Sequence, residues 1–249
     1  MGRPAALLGL LVALVAYYEL ASHFWSATVW WDVAWLALVV IPAVFALLLI
    51  ALPLRHARGL LPVGLALAVL AVVLTLAHAD VPANFARLFA CAFLGWWFLT
   101  FFESVSWVVI VAAIIPWVDA YSVWRGPTKT ILKHHEHAFT SMLSLAFPEP
   151  GTHYAANLGV SDLLFFALFL AAADRFRLRV VWTWVGLVAA LGGTIAITVW
   201  LNLGGLPALP GIALGFLAPN ADLLWQRLRR QPGVGHGPDV AVGGAADDG

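Results

Sequence analysis

Residues 104–124 read SVSWVVIVAAIIPWVDAYSVW, a continuous apolar run with a single charge in it, Asp119. The run does not alternate between polar and apolar, as a barrel strand would. At 1.5 Å per residue a helix of about 20 residues crosses a hydrocarbon core of roughly 30 Å, and that is what this stretch predicts. Asp119 lies near its end, roughly 7 Å from the face where the next loop emerges at the same rise per residue. A carboxylate at membrane depth costs at least a few kcal/mol, so it faces protein or a water-filled cavity and has a job there.

The same pattern extends outward over most of the chain. Apolar segments run Pro4–Ala21, Val33–Leu54, Leu60–Ala79, Asn84–Phe102, Ser104–Trp124, Leu158–Ala173, Val180–Leu203 and Leu206–Trp225. Of 249 residues, 63% are hydrophobic and 10% charged, against roughly 25% charged in soluble domains. So much apolar surface cannot face water, and in lipid the backbone must satisfy itself, as helices or a closed barrel. The expected fold class is all-α, a polytopic transmembrane bundle of about eight spans. Residues 1–230 form one domain, with N-terminal spans over 4–102 and a second half over 104–225. The tail 231–249, rich in Gly, Pro, Ala and Asp, is expected to be disordered. The first apolar run continues through Tyr17, Tyr18 and Leu20 without a clean cleavage site, so it reads as a retained span.

Formal net charge is zero, which gives no case for nucleic acid. The single cysteine, Cys91, cannot form an intramolecular disulfide. The 13 tryptophans lie largely near run ends, as in an aromatic belt. The connection Arg125–Asn157 reads as a long loop carrying Lys129, Lys133 and His134-His135-Glu136-His137. That cluster lacks the i, i+4 histidine pair of a zinc protease, so it reads as solvated loop; no metal and no cofactor are expected. Glu19 and Glu103 sit at run ends and should snorkel to the interface. Gly192-Gly193 suits close helix packing.

Asp162 lies in the first turns of the sixth segment, which starts from the same loop that follows Asp119. The two aspartates are therefore at similar depth near one face. The chain crosses away, turns through Arg175, Arg177 and Arg179, and returns. Gly204-Gly205-Leu206-Pro207-Ala208-Leu209-Pro210 then arrives at that face again, and such a segment cannot be regular helix. Two carboxylates within hydrogen-bond reach cannot both ionise; they share a proton, and one activates water while the other protonates a leaving group. The bland reading is that each aspartate caps a helix start or pairs with an arginine. For one aspartate the bland reading weighs more. For two at matched depth beside a broken helix, the paired reading does.

At these residues the sequence resembles the GxGD-type intramembrane aspartyl proteases that include presenilin and signal peptide peptidase. The matching residues are Trp117-Val118-Asp119, then Gly159-Val160-Ser161-Asp162, then Pro207-Ala208-Leu209. The resemblance covers about the second half of the chain. It implies Asp119 and Asp162 as the catalytic acid/base pair, in a water-filled pocket between two spans. It also implies that Gly159, Ser161, Pro207, Ala208 and Leu209 shape the substrate site, where a substrate's transmembrane helix unwinds. Val118 stands where the family usually has tyrosine, Ser161 replaces the motif's second glycine, and about eight spans stand where the family has about nine.

The function expected is thus an intramembrane aspartyl endopeptidase acting on transmembrane-segment substrates in the lipid bilayer. The departures at Val118 and Ser161 motivate an alternative, a non-catalytic presenilin-like protein that binds such segments. A small proton-coupled transporter is a third. Asp174, beside arginines at the opposite face, is expected in a surface ion pair. With alternating spans, Arg3, Arg55, Arg58, Arg175, Arg177, Arg179, Arg227, Arg229 and Arg230 fall on the side of the termini, and Arg87, Arg125, Lys129 and Lys133 on the other. This imbalance places both termini in the cytoplasm.

Overall fold

Apolar runs of this length become helices wherever their ends offer a start and a stop. The computed structural model describes residues 2–125, 143–203 and 206–230. In order, the elements are α1 (Arg3–Leu20), α2 (Val29–Trp35), α3 (Ile41–Ala51), α4 (Leu60–Leu76), α5 (Asp80–Phe98), α6 (Val105–Arg125), β1 (Ser144–Pro148), β2 (Ala155–Gly159), α7 (Val160–Arg175), α8 (Val180–Trp200), α9 (Leu209–Leu217) and α10 (Ala221–Arg230). The tail 231–249, Gly126-Pro127 and the Lys129–His137 region lie outside the described residues, as do Gly204 and Gly205.

The starts follow from local chemistry. Pro4 opens α1, where a missing N–H does no harm. The Thr28 hydroxyl caps α2 by accepting from the Trp31 N–H at 3.2 Å. A π turn, Leu36–Val40, joins α2 to α3 just before Pro42, which has no donor to offer the regular ladder. Helices α4, α7 and α8 are each followed by a residue in the left-handed region: His78, Arg177 and Asn202.

The molecule is mostly helical. Among the described residues, five helical stretches are long and apolar enough to cross a membrane: Arg3–His23, Val29–His56, Asp80–Phe101, Val105–Ser122 and Val180–Trp200. The other three expected spans are shorter or divided. Helix α4 has 17 residues and α7 has 16. The last apolar segment breaks at Pro219 into α9 and the polar, arginine-rich α10.

One element departs from the all-α expectation. The stretch expected to be loop contains an antiparallel hairpin, with Ser144 opposite Gly159 and Pro148 opposite Ala155. Leu158, expected to open the sixth span, is in β2, and the helix begins at Val160. The signal is a short alternation, with Leu145 and Phe147 each only 1% exposed, before the turn-forming Glu149-Pro150-Gly151. A lone two-stranded hairpin is marginally stable, and here β1 and the turn are tied down by α1, the residues just after it, and α5. The Asn84 amide donates to the Ala146 carbonyl at 2.6 Å and accepts from the Ala146 N–H at 3.0 Å, as a neighbouring strand would. The Arg87 guanidinium donates to the Ser144 carbonyl. The Tyr17 hydroxyl donates to the Pro148 carbonyl at 2.8 Å, and the Gly151 N–H donates to the Ala21 carbonyl at 2.8 Å. Gly151 has φ +69°, and a Cβ there would come within 2.7 Å of the Phe24 carbonyl oxygen.

Asn84 carries a prediction. Asn84→Ala strands both polar groups of Ala146, and a half-buried unpaired group costs about 1–3 kcal/mol. A lowered unfolding temperature in detergent, with faster amide exchange confined to the hairpin, is the expected result. Unchanged exchange at Ala146 would show that the amide is not an anchor.

Helix α7 is the hub. Leu163 and every residue from Phe166 to Ala173 are completely buried. Phe166 stacks on Phe45 with centroids 4.0 Å apart, and Phe169 stacks on Phe216 at 4.9 Å. A Cβ on Gly95 of α5 would lie 2.8 Å from the Leu164 carbonyl oxygen, so α5 and α7 touch backbone to backbone. The bundle has two distinct ends. At one is the hairpin, held by α1 and α5. At the other, Arg55 pairs with Asp174 at 2.5 Å, Arg175 donates to the Leu99 carbonyl at 2.6 Å, and Arg179 pairs with Asp222 at 2.7 Å. Asp174 is thus in the ion pair expected of it.

Candidate active site

Asp119 is positioned by α6 and α9. Helix α6 contains Pro116, one residue short of a turn before the aspartate, and packs principally against α9. Trp117 and Val118 point outward, 79% and 60% exposed, while Asp119 is half-buried. Leu206 and Pro207 are irregular, Ala208 is the N-cap of α9, and Pro210 sits in its first turn. The first N–H groups of any helix lack intrahelical partners. Here the Leu209 N–H donates to Asp119 Oδ2 at 3.2 Å.

Asp162 is positioned by the hairpin and α7. Strand β2 ends at Gly159, which is the N-cap of α7, and Asp162 is the third helical residue. Its carboxylate lies against the Gly159 backbone at the start of α7. A Cβ on Gly159 would lie 3.3 Å from Asp162 Oδ2 and 3.4 Å from Ser161 Oγ, so glycine leaves the room that the carboxylate occupies. Ser161 itself is exposed. Asp162 is only 9% exposed.

Asp162, Gly159, Leu206 and Ala208 line a cavity of about 410 Å³, within the range typical of small-molecule sites. Asp119 is not on its wall, but lies within electrostatic reach of Asp162. Pro207 and Leu209 are not on the wall either; Leu209 instead links α9 to Asp119. The N-termini of α7 and α9 both border this region. Their dipoles favour negative charge there, against the burial that opposes it. Among the described residues, no group of three or more His, Cys, Asp or Glu could hold a metal ion.

Two further carboxylates on the cavity wall were not singled out in the sequence: Asp32 and Glu149. Asp32, in the first turn of α2, is 9% exposed, and the Ser26 hydroxyl donates to its Oδ2 at 3.0 Å. It reads in sequence as an ordinary acidic residue at a helix start. The signal that could have found it is the one used for Asp119, a carboxylate embedded in an aromatic and apolar run. Glu149 follows β1, and burial together with the nearby Asp32 carboxylate pushes its pKa above the usual carboxylate range.

No family model, curated protein or solved structure matches this chain.

Proposed function

We propose that the protein is a multi-pass membrane protein of about eight spans, presenilin-like in its second half, that hydrolyses peptide bonds of transmembrane segments. Asp119 and Asp162 are its acid/base pair. One observation carries this reading. Two carboxylates from different helices meet the same irregular segment, Asp119 through the Leu209 N–H and Asp162 across a cavity shared with Leu206 and Ala208.

In the proposed reaction one carboxylate takes a proton from water as the oxygen adds to the peptide carbonyl carbon. The protonated partner then gives its proton to the leaving nitrogen as the C–N bond breaks. The products are a carboxylic acid and an amine, and the pair again holds one proton. An unwound substrate also needs backbone partners. The outer edge of β1 is closed by Asn84 and Arg87. Ala146 pairs with Asn157, so the Asn157 backbone groups point away from β1 on the open edge, beside the cavity.

The test is purified protein with a transmembrane peptide, comparing wild type with Asp119→Ala and Asp162→Ala. A second reading, a non-catalytic binder of transmembrane segments, is favoured by one detail. The Asp119 carboxylate is held by Leu209 and not on the cavity wall. Intact peptide with every variant, wild type included, supports that reading.

Orientation follows from charge. Nine arginines lie on the side of the termini against four basic residues on the hairpin side. Arg87 is buried at 8% exposure and bonded to Thr75, Asn84 and Ser144, so it is a hairpin anchor and not a topology signal. Both termini are therefore assigned to the cytoplasm. A reporter active only in the cytoplasm should work when fused after Arg230 and fail when inserted near His135. The reverse pattern overturns the assignment.

A further inference from the structure

The cavity that holds Asp162 is acidic beyond what the proposed hydrolysis needs. Asp32 and Glu149 share its wall, and no Lys, Arg or His is among the described lining residues. Asp32 Oδ1 is buried and has no hydrogen-bond partner among the described residues. A buried carboxylate with an unmet oxygen is costly in a medium of low dielectric, and such groups are normally paired. The upward shift of Glu149, from burial and from Asp32, reports the same crowding of negative charge. Both residues lie at the hairpin end, Asp32 in the first turn of α2 and Glu149 just past β1. The rest of the wall is largely apolar, with Leu36 from the π turn, Ile41 from α3 and Phe147 from the hairpin, besides Asn157, Thr194 and Thr198. Two carboxylates set in a largely apolar wall fit a long basic side chain, whose methylene stem packs while its head pairs.

We propose that this part of the cavity is a subsite for one lysine or arginine of the transmembrane segment bound at Asp119 and Asp162, with Asp32 and Glu149 as its charge partners. The assignment rests on the segment-binding site described above and adds a substrate class to it: segments with a basic residue next to the bond held at Asp162, on its hairpin-end side.

The test uses full-length protein in lipid nanodiscs and a fluorescent transmembrane peptide series. A single lysine is moved residue by residue through the half of the peptide nearest the hairpin end, with norleucine at the same position as control. Binding and cleavage are measured separately. One lysine position should bind the wild type about tenfold or more tighter than its norleucine control, the worth of a charge-assisted buried contact. Asp32→Asn should bring that ratio close to unity, Glu149→Gln should reduce it, and Asp32→Glu should keep most of it. Glu149→Gln also covers the case in which Asp32→Asn does not fold.

Equal binding of lysine and norleucine peptides by wild type overturns the subsite. So does binding of neither, or a lysine preference undiminished in both neutral variants. Cleavage without lysine preference removes the subsite and leaves the hydrolase; lysine preference without cleavage removes the hydrolase and leaves the subsite.

Discussion

Asp162→Asn and Asp119→Asn are each expected to abolish cleavage of a transmembrane peptide that the wild-type protein cuts. A positioned acid or base contributes about 10²- to 10⁴-fold on its own, so the fall should be at least of that order. Asparagine is chosen because it tests charge with little change of shape. An amide oxygen at position 119 still accepts from the Leu209 N–H, and one at 162 fills the same room beside Gly159. Thermal unfolding of both variants should therefore stay near wild type. Because the residues act as a unit, the double variant should be no slower than either single one. The wild-type rate should also fall at high pH, where the pair loses the proton that the leaving nitrogen requires. Near-wild-type cleavage by either variant would remove that aspartate from the chemistry.

The second large effect is expected at a helix crossing. A Cβ on Gly186 of α8 would lie 2.4 Å from the Gly215 carbonyl oxygen, and one on Gly215 of α9 would lie 2.6 Å from the Gly186 carbonyl oxygen. The two backbones touch, and only glycine at both positions permits it. Overpacking costs about 1–3 kcal/mol and sometimes more. Gly186→Ala should therefore lower the unfolding temperature clearly, and Gly186→Leu should give little folded protein. Activity should fall with Gly186→Ala as well, since α9 starts at the residue that holds Asp119. Gly193→Ala is the matched control. Nothing lies within 4 Å of a Cβ there, and alanine favours helix over glycine by up to about 1 kcal/mol. It should be neutral or mildly stabilising. A Gly186→Ala protein as stable as wild type would mean that α8 and α9 stand further apart than they do here.

Helix positions were legible because a long continuous apolar run has few ways to satisfy its own backbone other than as a helix: each such run appears as helix over most of its length. The pairing of Asp119 and Asp162 with Leu206–Leu209 could be argued from the alternation of runs, since two carboxylates and a Pro-Ala-Leu-Pro segment fall at one level. The side-chain detail could not. Whether Asp119 faces the cavity or the Leu209 N–H depends on how α6 leans on α9, and no spacing rule encodes that. The hairpin was illegible for a different reason. Its five-residue strands have too little period to stand out, and what stabilises them is distant, at Tyr17, Asn84 and Arg87. Of the Gly192-Gly193 pair only Gly192 makes the expected close contact, against Ala37 at 2.9 Å. The tighter crossing, at Gly186 and Gly215, involves isolated glycines in unrelated parts of the chain.

The central position of α7 bears on the order in which the molecule is made. Its partner α5 precedes it, but α8 and α9 leave the ribosome only later. Until they arrive, the faces of Phe169 and its neighbours that α8 and α9 will cover are bare, and the cavity beside Asp162 lacks the part of its wall formed by Leu191, Thr194, Ile195, Thr198, Val199, Leu206 and Ala208. Asp119 likewise waits for the Leu209 N–H, which does not exist until translation has passed that codon. A nascent chain halted between Asp162 and Leu206 therefore carries both aspartates but lacks Leu206, Ala208 and Leu209, so the cavity wall and the Asp119 contact are complete only once α9 has docked.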